Sequence, residues 1–214
     1  VSGGDIFLDS RSFFVDALTL SYLWNERVFE ANFRGRVVLD LGAHKGFYAA
    51  RALASGARHV VSIEPELRNF ELLELARRSN VRSKDWELRR AAVGATSGHV
   101  TLHVSNESWA HTVNEEMIQS VGTQEVEMVT LAELLAGLPV HLKGDKIVLK
   151  VNVEGMAGGI LLAATAGQLA AVAEIDLDVE PGSPFDLDAL EAHLQNAGLV
   201  RKASSNGKIL KFVR

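Results

Sequence analysis

The chain has 214 residues, 47% hydrophobic and 23% charged, enough apolar material for a sizeable core. Lys and Arg total 22 against 27 Asp and Glu, so a formal charge of −5 gives no drive toward nucleic acid or an anionic membrane surface. The absence of cysteine excludes thiolate metal sites and Cys nucleophiles together.

No cationic segment leading into an apolar core opens the chain, so no signal peptide is read and a cytoplasmic location is expected. Ser10 to Phe33 mixes aromatics with a loose helical period, which predicts a helical lead-in (residues 1–35) covering a core over 36–214, all one domain. Arg36 to Gly42 is a short apolar run ending in Asp and Gly, the pattern of a central parallel strand. A helix over Phe47 to Ser55 stops at Gly56, and His59 to Ile63 is a second buried strand. Pro65 then opens a helix reaching Ser79.

A third strand is expected over Trp86 to Val93. Added strands follow over Gly98 to Ser105 and Glu125 to Val129, around a long loop from Asn106 to Gln124. Thr130-Leu-Ala-Glu133 is a capping box opening a helix to Gly137. Lys146 to Val153 is the next strand, Ala157 to Leu169 a helix and Ala171 to Val179 another strand. The uncharged stretch Met156 to Ala173 is too rich in Ala and Gly for a membrane span and reads as interior helix. Pro184 and Asp186 start a last helix, closed by Gly198. Leu199 to Ser204 and Lys208 to Val213 flank Ser205-Asn206-Gly207, a hairpin signal. The prediction is an α/β fold with a mostly parallel seven-stranded sheet, helices on both faces and an antiparallel C-terminal hairpin strand. Such an ending is commonest in class I methyltransferases.

Candidate site residues gather at predicted strand ends. Asp40-Leu-Gly42-Ala43-His44-Lys45-Gly46, running into Phe47 and Tyr48, lacks the G-x-G-x-x-G spacing of a dinucleotide site. Its D-x-G-x-x-x-G arrangement is the one used for S-adenosylmethionine, with glycines that admit a ligand to the backbone. Glu64, followed by Pro65, ends the second strand, where a carboxylate can accept both ribose hydroxyls. Lys150, Asn152 and Glu154 alternate with Val151 and Val153, so one polar face of a central strand must be hydrogen-bonded or open onto a site. In the long loop, Ser108, Trp109, His111 and Thr112 can cap that site, and His111 is a candidate general base. Glu174, Asp176, Asp178 and Glu180 alternate with apolar residues. Pairing with the hairpin's Lys and Arg, or solvation, is favoured over a metal site, and no metal is assigned.

The sequence resembles the FkbM-type methyltransferases, a class I, S-adenosylmethionine-dependent family. The resemblance rests on Leu39 to Gly46, Ser62-Ile-Glu-Pro65, Arg90-Ala-Ala-Val-Gly94, Val129-Thr-Leu131 and Leu149-Lys-Val-Asn-Val-Glu-Gly155. It implies a donor site of Asp40, Gly42 to Tyr48, Glu64, Pro65 and Asn152, with Ala91, Ala92 and Val93 near the adenine and S-adenosylhomocysteine as product. Lys150, Glu154 or His111 then serves the methyl acceptor, a small-molecule or sugar hydroxyl. Two positions depart from the family's pattern: Asn152 replaces the usual Asp and Arg90 a common Asn. Asn cannot act as a base, so a non-catalytic binding module is one rival. A nicotinamide-dependent oxidoreductase is another, disfavoured by the glycine spacing and the hairpin.

Overall fold

A computed structural model describes residues 4–179, 185–203 and 209–214. In chain order the helices and strands are α1 (Phe13–Trp24), β1 (Val37–Leu41), α2 (Phe47–Ala54), β2 (His59–Ile63), α3 (Leu67–Ser79), β3 (Trp86–Arg89), β4 (Ala92–Gly94), β5 (Gly98–Val104), β6 (Gly122–Thr130), α4 (Leu131–Gly137), β7 (Ile147–Val151), α5 (Ala157–Ala163), β8 (Val172–Asp178), α6 (Leu187–Asn196), β9 (Val200–Lys202) and β10 (Ile209–Val213). Seven strands form one sheet in the order β3-β2-β1-β7-β8-β10-β9. The first five are mutually parallel, and β10 runs antiparallel to both β8 and β9. The fold is that of the class I methyltransferases. Glu180, Pro184, Ser204, the Ser205-Asn206-Gly207 turn and Lys208 lie outside the described residues.

β1 is central because every one of its residues is buried, as a continuous apolar run between two parallel neighbours requires. The lead-in packs on one face of the sheet with α2 and α3, around Val38, Val60 and Val148. Residues of α4, α5 and α6 join Leu39, Leu149 and Ile175 in the core on the other face.

Three expectations change. The predicted strand Trp86 to Val93 is two: β3 pairs with β2, while β4 joins β6 and β5 in a separate three-stranded sheet. The break falls at Arg90, whose guanidinium donates to the Pro65 carbonyl at 3.3 Å and to Gln124 at 3.0 Å. Pro65 precedes the N-cap of α3 rather than opening the helix, since Glu66 caps it by accepting from the Asn69 N–H at 2.7 Å. The helix expected to reach Leu169 ends at Ala163. Thr165 and Gln168 then exchange reciprocal bonds of 2.7 and 3.3 Å where a separate 3-10 turn, Gln168–Ala171, begins.

Register explains the two alternating polar strands. Asp40 of β1 pairs with Lys150 of β7, Lys150 with Asp176 of β8, and Asp176 with Lys211 of β10. Charges therefore alternate in sign across four adjacent strands on one buried face. Lys150 Nζ lies 3.0 Å from Asp40, and Lys211 Nζ lies 2.7 Å from Asp176. Glu174 extends the network to Arg36 at 2.9 Å. Glu174 and Asp176 of β8 are thus buried and paired, not solvated, and two of their three ion pairs are made by Lys211 of the hairpin strand.

Candidate active site

At the carboxyl ends of β1, β2 and β7 lies a cavity of about 450 Å³. Gly42, Ala43 and His44 form part of its floor, with Phe47 and Tyr48 of α2 beside them. Glu64 and Pro65 enter from the end of β2, and Ala91, Ala92 and Val93 from the crossing to the small sheet. Lys150, Asn152 and Glu154 enter from β7, and Asp178 and Ile209 from the facing ends of β8 and β10. Asp40, Lys45 and Gly46 stand behind this wall rather than in it.

The β1–α2 turn is held by packing of chain on chain. Gly42 has φ +76°, and a Cβ there would sit 1.8 Å from the Asn152 carbonyl oxygen. Gly46 has φ +84°, and its Cβ would meet Leu73 at 2.6 Å and the Trp86 ring at 2.8 Å. Both glycines are therefore required before any ligand is considered. Lys150 braces the same turn: it donates to the Gly42 carbonyl at 2.6 Å while paired with Asp40. Its Nζ also lies 5.6 Å from the Phe29 ring centroid and 5.8 Å from that of Tyr48.

Glu64 joins the turn to α3. One carboxylate oxygen accepts from the His44 N–H at 2.8 Å and the other from the Glu66 N–H at 3.0 Å. Burial pushes its pKa up to about 7, against the pull of those two N–H groups. Each oxygen keeps a second lone pair for a further donor.

The long loop covers the cavity. Ser108, Trp109, His111 and Thr112 all line it. Ser108 Oγ is 3.2 Å from His44 Nε2, and the Ser108 carbonyl accepts from Asn69 Nδ2 at 2.7 Å. Thr112 Oγ1 donates to the Glu154 carbonyl at 3.0 Å, fastening the loop to the exit of β7. His111 Nδ1 accepts from the Ser105 N–H at 3.0 Å, which puts the proton of the neutral ring on Nε2. Burial lowers its pKa, as does Lys45, while Glu66 opposes. Burial, then Lys45 and Lys150, hold His44 well below the ordinary histidine range.

Sequence reasoning missed the lead-in as a wall: Tyr22, Leu23, Val28 and Phe29 all line the cavity. Lys45 turns away from the cavity to form an ion pair with Asp16 of α1 and to donate to Ser12 Oγ at 2.8 Å. Both charged groups are buried. The available signal was Asp16 itself, an acid on the helical stripe that continues through Leu20 to Leu23. Among the described residues, no group of three or more His, Asp or Glu is arranged to hold a metal ion, and no helix is long and apolar enough to cross a membrane.

Known proteins bear on this site. A family model described as the methyltransferase FkbM domain matches residues 40–198. No curated protein matches the chain. An FkbM methyltransferase structure from Methylobacillus flagellatus KT is similar over 91% of this chain and 48% of its own, at 14% identity and a TM-score of 0.54. The chain thus spans about half the length of that structure. A magnesium protoporphyrin IX methyltransferase from Synechocystis PCC 6803, solved with bound SAM, is similar over 99% of this chain and 86% of its own, at 13% identity and a TM-score of 0.45. The match that starts at the charged end of β1 and runs on to Gly198, through the β2, β4 and β7 ends of the cavity, decides the matter: the chain belongs to the FkbM family of S-adenosylmethionine-dependent methyltransferases.

Proposed function

We propose that this chain binds S-adenosylmethionine in the cavity and methylates a hydroxyl oxygen of a small molecule or sugar. The observation that carries the reading is the convergence of Glu64, the Gly42–Gly46 turn, Ala91 to Val93 and the Lys150–Glu154 segment on one cavity. The residues fit the donor. Glu64 has two acceptor positions left for a ribose diol, and Ala91, Ala92 and Val93 are a buried apolar surface suited to an adenine ring.

The donor supplies an electrophilic methyl group on a sulfonium, so the protein's work is alignment and, for an alcohol acceptor, proton removal. Lys150 and Asp40 fix the turn beneath the donor. Glu154 is assigned as proton acceptor for the incoming hydroxyl. His111 is assigned as a hydrogen-bond donor through Nε2, because its Nδ1 is already engaged by Ser105. Asn152 presents an amide that orients without taking a proton. A non-catalytic binding module is favoured by that Asn alone, and turnover separates it from an enzyme.

The test is calorimetric titration with S-adenosylhomocysteine for the wild type, Glu64→Gln and Glu64→Ala. Micromolar affinity, weakened at least about tenfold by either change, is expected. Binding of NADH in place of S-adenosylhomocysteine would sink the proposal.

A further inference from the structure

The segment between β5 and β6 is held to the cavity's two banks in different ways. Its tip, Ser105 to His111, is knotted to itself. The Ser105 N–H donates to His111 Nδ1 at 3.0 Å, the Glu107 N–H to Ser105 Oγ at 3.0 Å, and the Ala110 N–H to the Glu107 carbonyl at 3.1 Å. At its base His103 and Thr112 exchange backbone bonds of 2.8 and 3.1 Å, closing the tip off as one unit. Beyond that closure the segment is anchored to the exit of β7. Thr112 is buried and donates to the Glu154 carbonyl, and Met117 Sδ would lie 2.5 Å from a Cβ at Gly155. On the opposite bank the tip is joined through Ser108, by its bonds to His44 at 3.2 Å and Asn69 at 2.7 Å. Both partners adjoin Glu64. The His44 N–H donates to one of its oxygens, and the Asn69 N–H donates to Glu66, whose own N–H holds the other.

From this asymmetry we infer that Ser105–His111 is a gate on the donor site, swinging as one piece on the His103–Thr112 pair and latched beside Glu64 by Ser108. This rests on the methyltransferase reading and adds how donor enters and product leaves. The knot satisfies its bonds within the tip, so opening gives up the latch and leaves the knot intact. Ser108, Trp109 and His111 line the cavity, so a ligand gains their contacts only in the closed position and biases the gate shut. The latch joins chain to chain and uses no ligand atom. It therefore stabilises the closed position equally with the site full or empty, and sets the rates of entry and exit rather than the affinity. Trp109 rides on the gate at 46% exposure and reports its position.

The first arm follows association and release of S-adenosylhomocysteine by stopped-flow tryptophan fluorescence, in the wild type, Ser108→Ala and Ser108→Ala with Asn69→Ala. Loss of one neutral hydrogen bond corresponds to about fivefold. Both rates should rise together, about fivefold in the single variant and at least about tenfold in the double, with affinity within about threefold. The single variant keeps the test if the double one fails to fold. Unchanged rates overturn the inference, as does faster release matched by weaker affinity, which marks a direct ligand contact. The second arm needs no ligand: millisecond hydrogen exchange at the amides of His103, Ser105, Glu107, Ala110 and Thr112. Their protection should stay within about twofold in the variants, because the knot opens as one piece, and its collapse overturns the gate. If the wild type binds no S-adenosylhomocysteine, the donor reading fails, and the exchange arm still decides whether the tip moves as one piece.

Discussion

Two rows of residues cross the same four strands one position apart and solve burial in opposite ways. Leu39, Leu149, Ile175 and Phe212 face one core and are at most 1% exposed. Asp40, Lys150, Asp176 and Lys211 face the other way, and all but Lys211 are buried too. The first row gains from every area it removes from water. The second must overcome the desolvation of its charges, which it does by alternating sign across the register. The lesson lies in which row touches the cavity. The apolar row only supports the sheet, whereas the charged row braces the Gly42 turn through Lys150. Charge is retained where the backbone has to be held in one place.

The comparison breaks most sharply at Lys150. Lys150→Met leaves Asp40 buried without its cation, and urea unfolding should show a loss of about 3–5 kcal/mol. Adding Asp40→Leu should return most of that loss, because a buried pair replaced by apolar groups is close to neutral. The unrecovered part reports the bond to the Gly42 carbonyl. If the double variant stays as unstable as the single one, the row is not a neutralised pair system. Gly42→Ala tests the turn from the other side. It forces a Cβ into the Asn152 carbonyl at positive φ, and a cost of about 3 kcal/mol is expected in the same assay.

A pH series sharpens the contrast. Burial raises Glu64 from 4.5 to about 7 and Asp176 from 3.8 to about 6, the latter against the pull of Lys211. Between each pair of values the folded state keeps a proton that the unfolded chain has released. Stability arising from these groups therefore falls as pH rises through those windows. Glu64→Gln should flatten the decline between pH 4.5 and 7 measured by thermal unfolding, leaving the part due to Asp176. Affinity for S-adenosylhomocysteine should rise from pH 6 to 8 in the wild type, as the carboxylate ionises, and stay flat in Glu64→Gln. The smallest effect is expected away from both rows: Thr130→Ala removes the cap of α4 and should cost about 1 kcal/mol without altering ligand affinity.

Much of this was legible in the sequence because it depends on local chemistry. The buried runs of β1, β2 and β7, the capping box at Thr130 and the antiparallel ending all follow from period, turn residues and length. The split at Arg90 was not legible, because Trp86 to Val93 has one continuous strand pattern and only contacts with Pro65 and Gln124 divide it. Nor was the destination of Lys45. Its neighbours suggested a donor loop, but its partner is Asp16, far off in sequence.

Sequence by itself determined the family, the order of the elements and the segments that meet at the cavity, since glycines, strand ends and periodicity act over a few residues. Only the tertiary structure decided what faces what. It set Asp40 against Lys150 and Asp176 against Lys211, gave the lead-in its place in the cavity wall, and spent the glycines on chain packing. Those outcomes depend on strand register and helix docking, which are fixed by burial summed over the whole molecule and so cannot be assigned to any single residue.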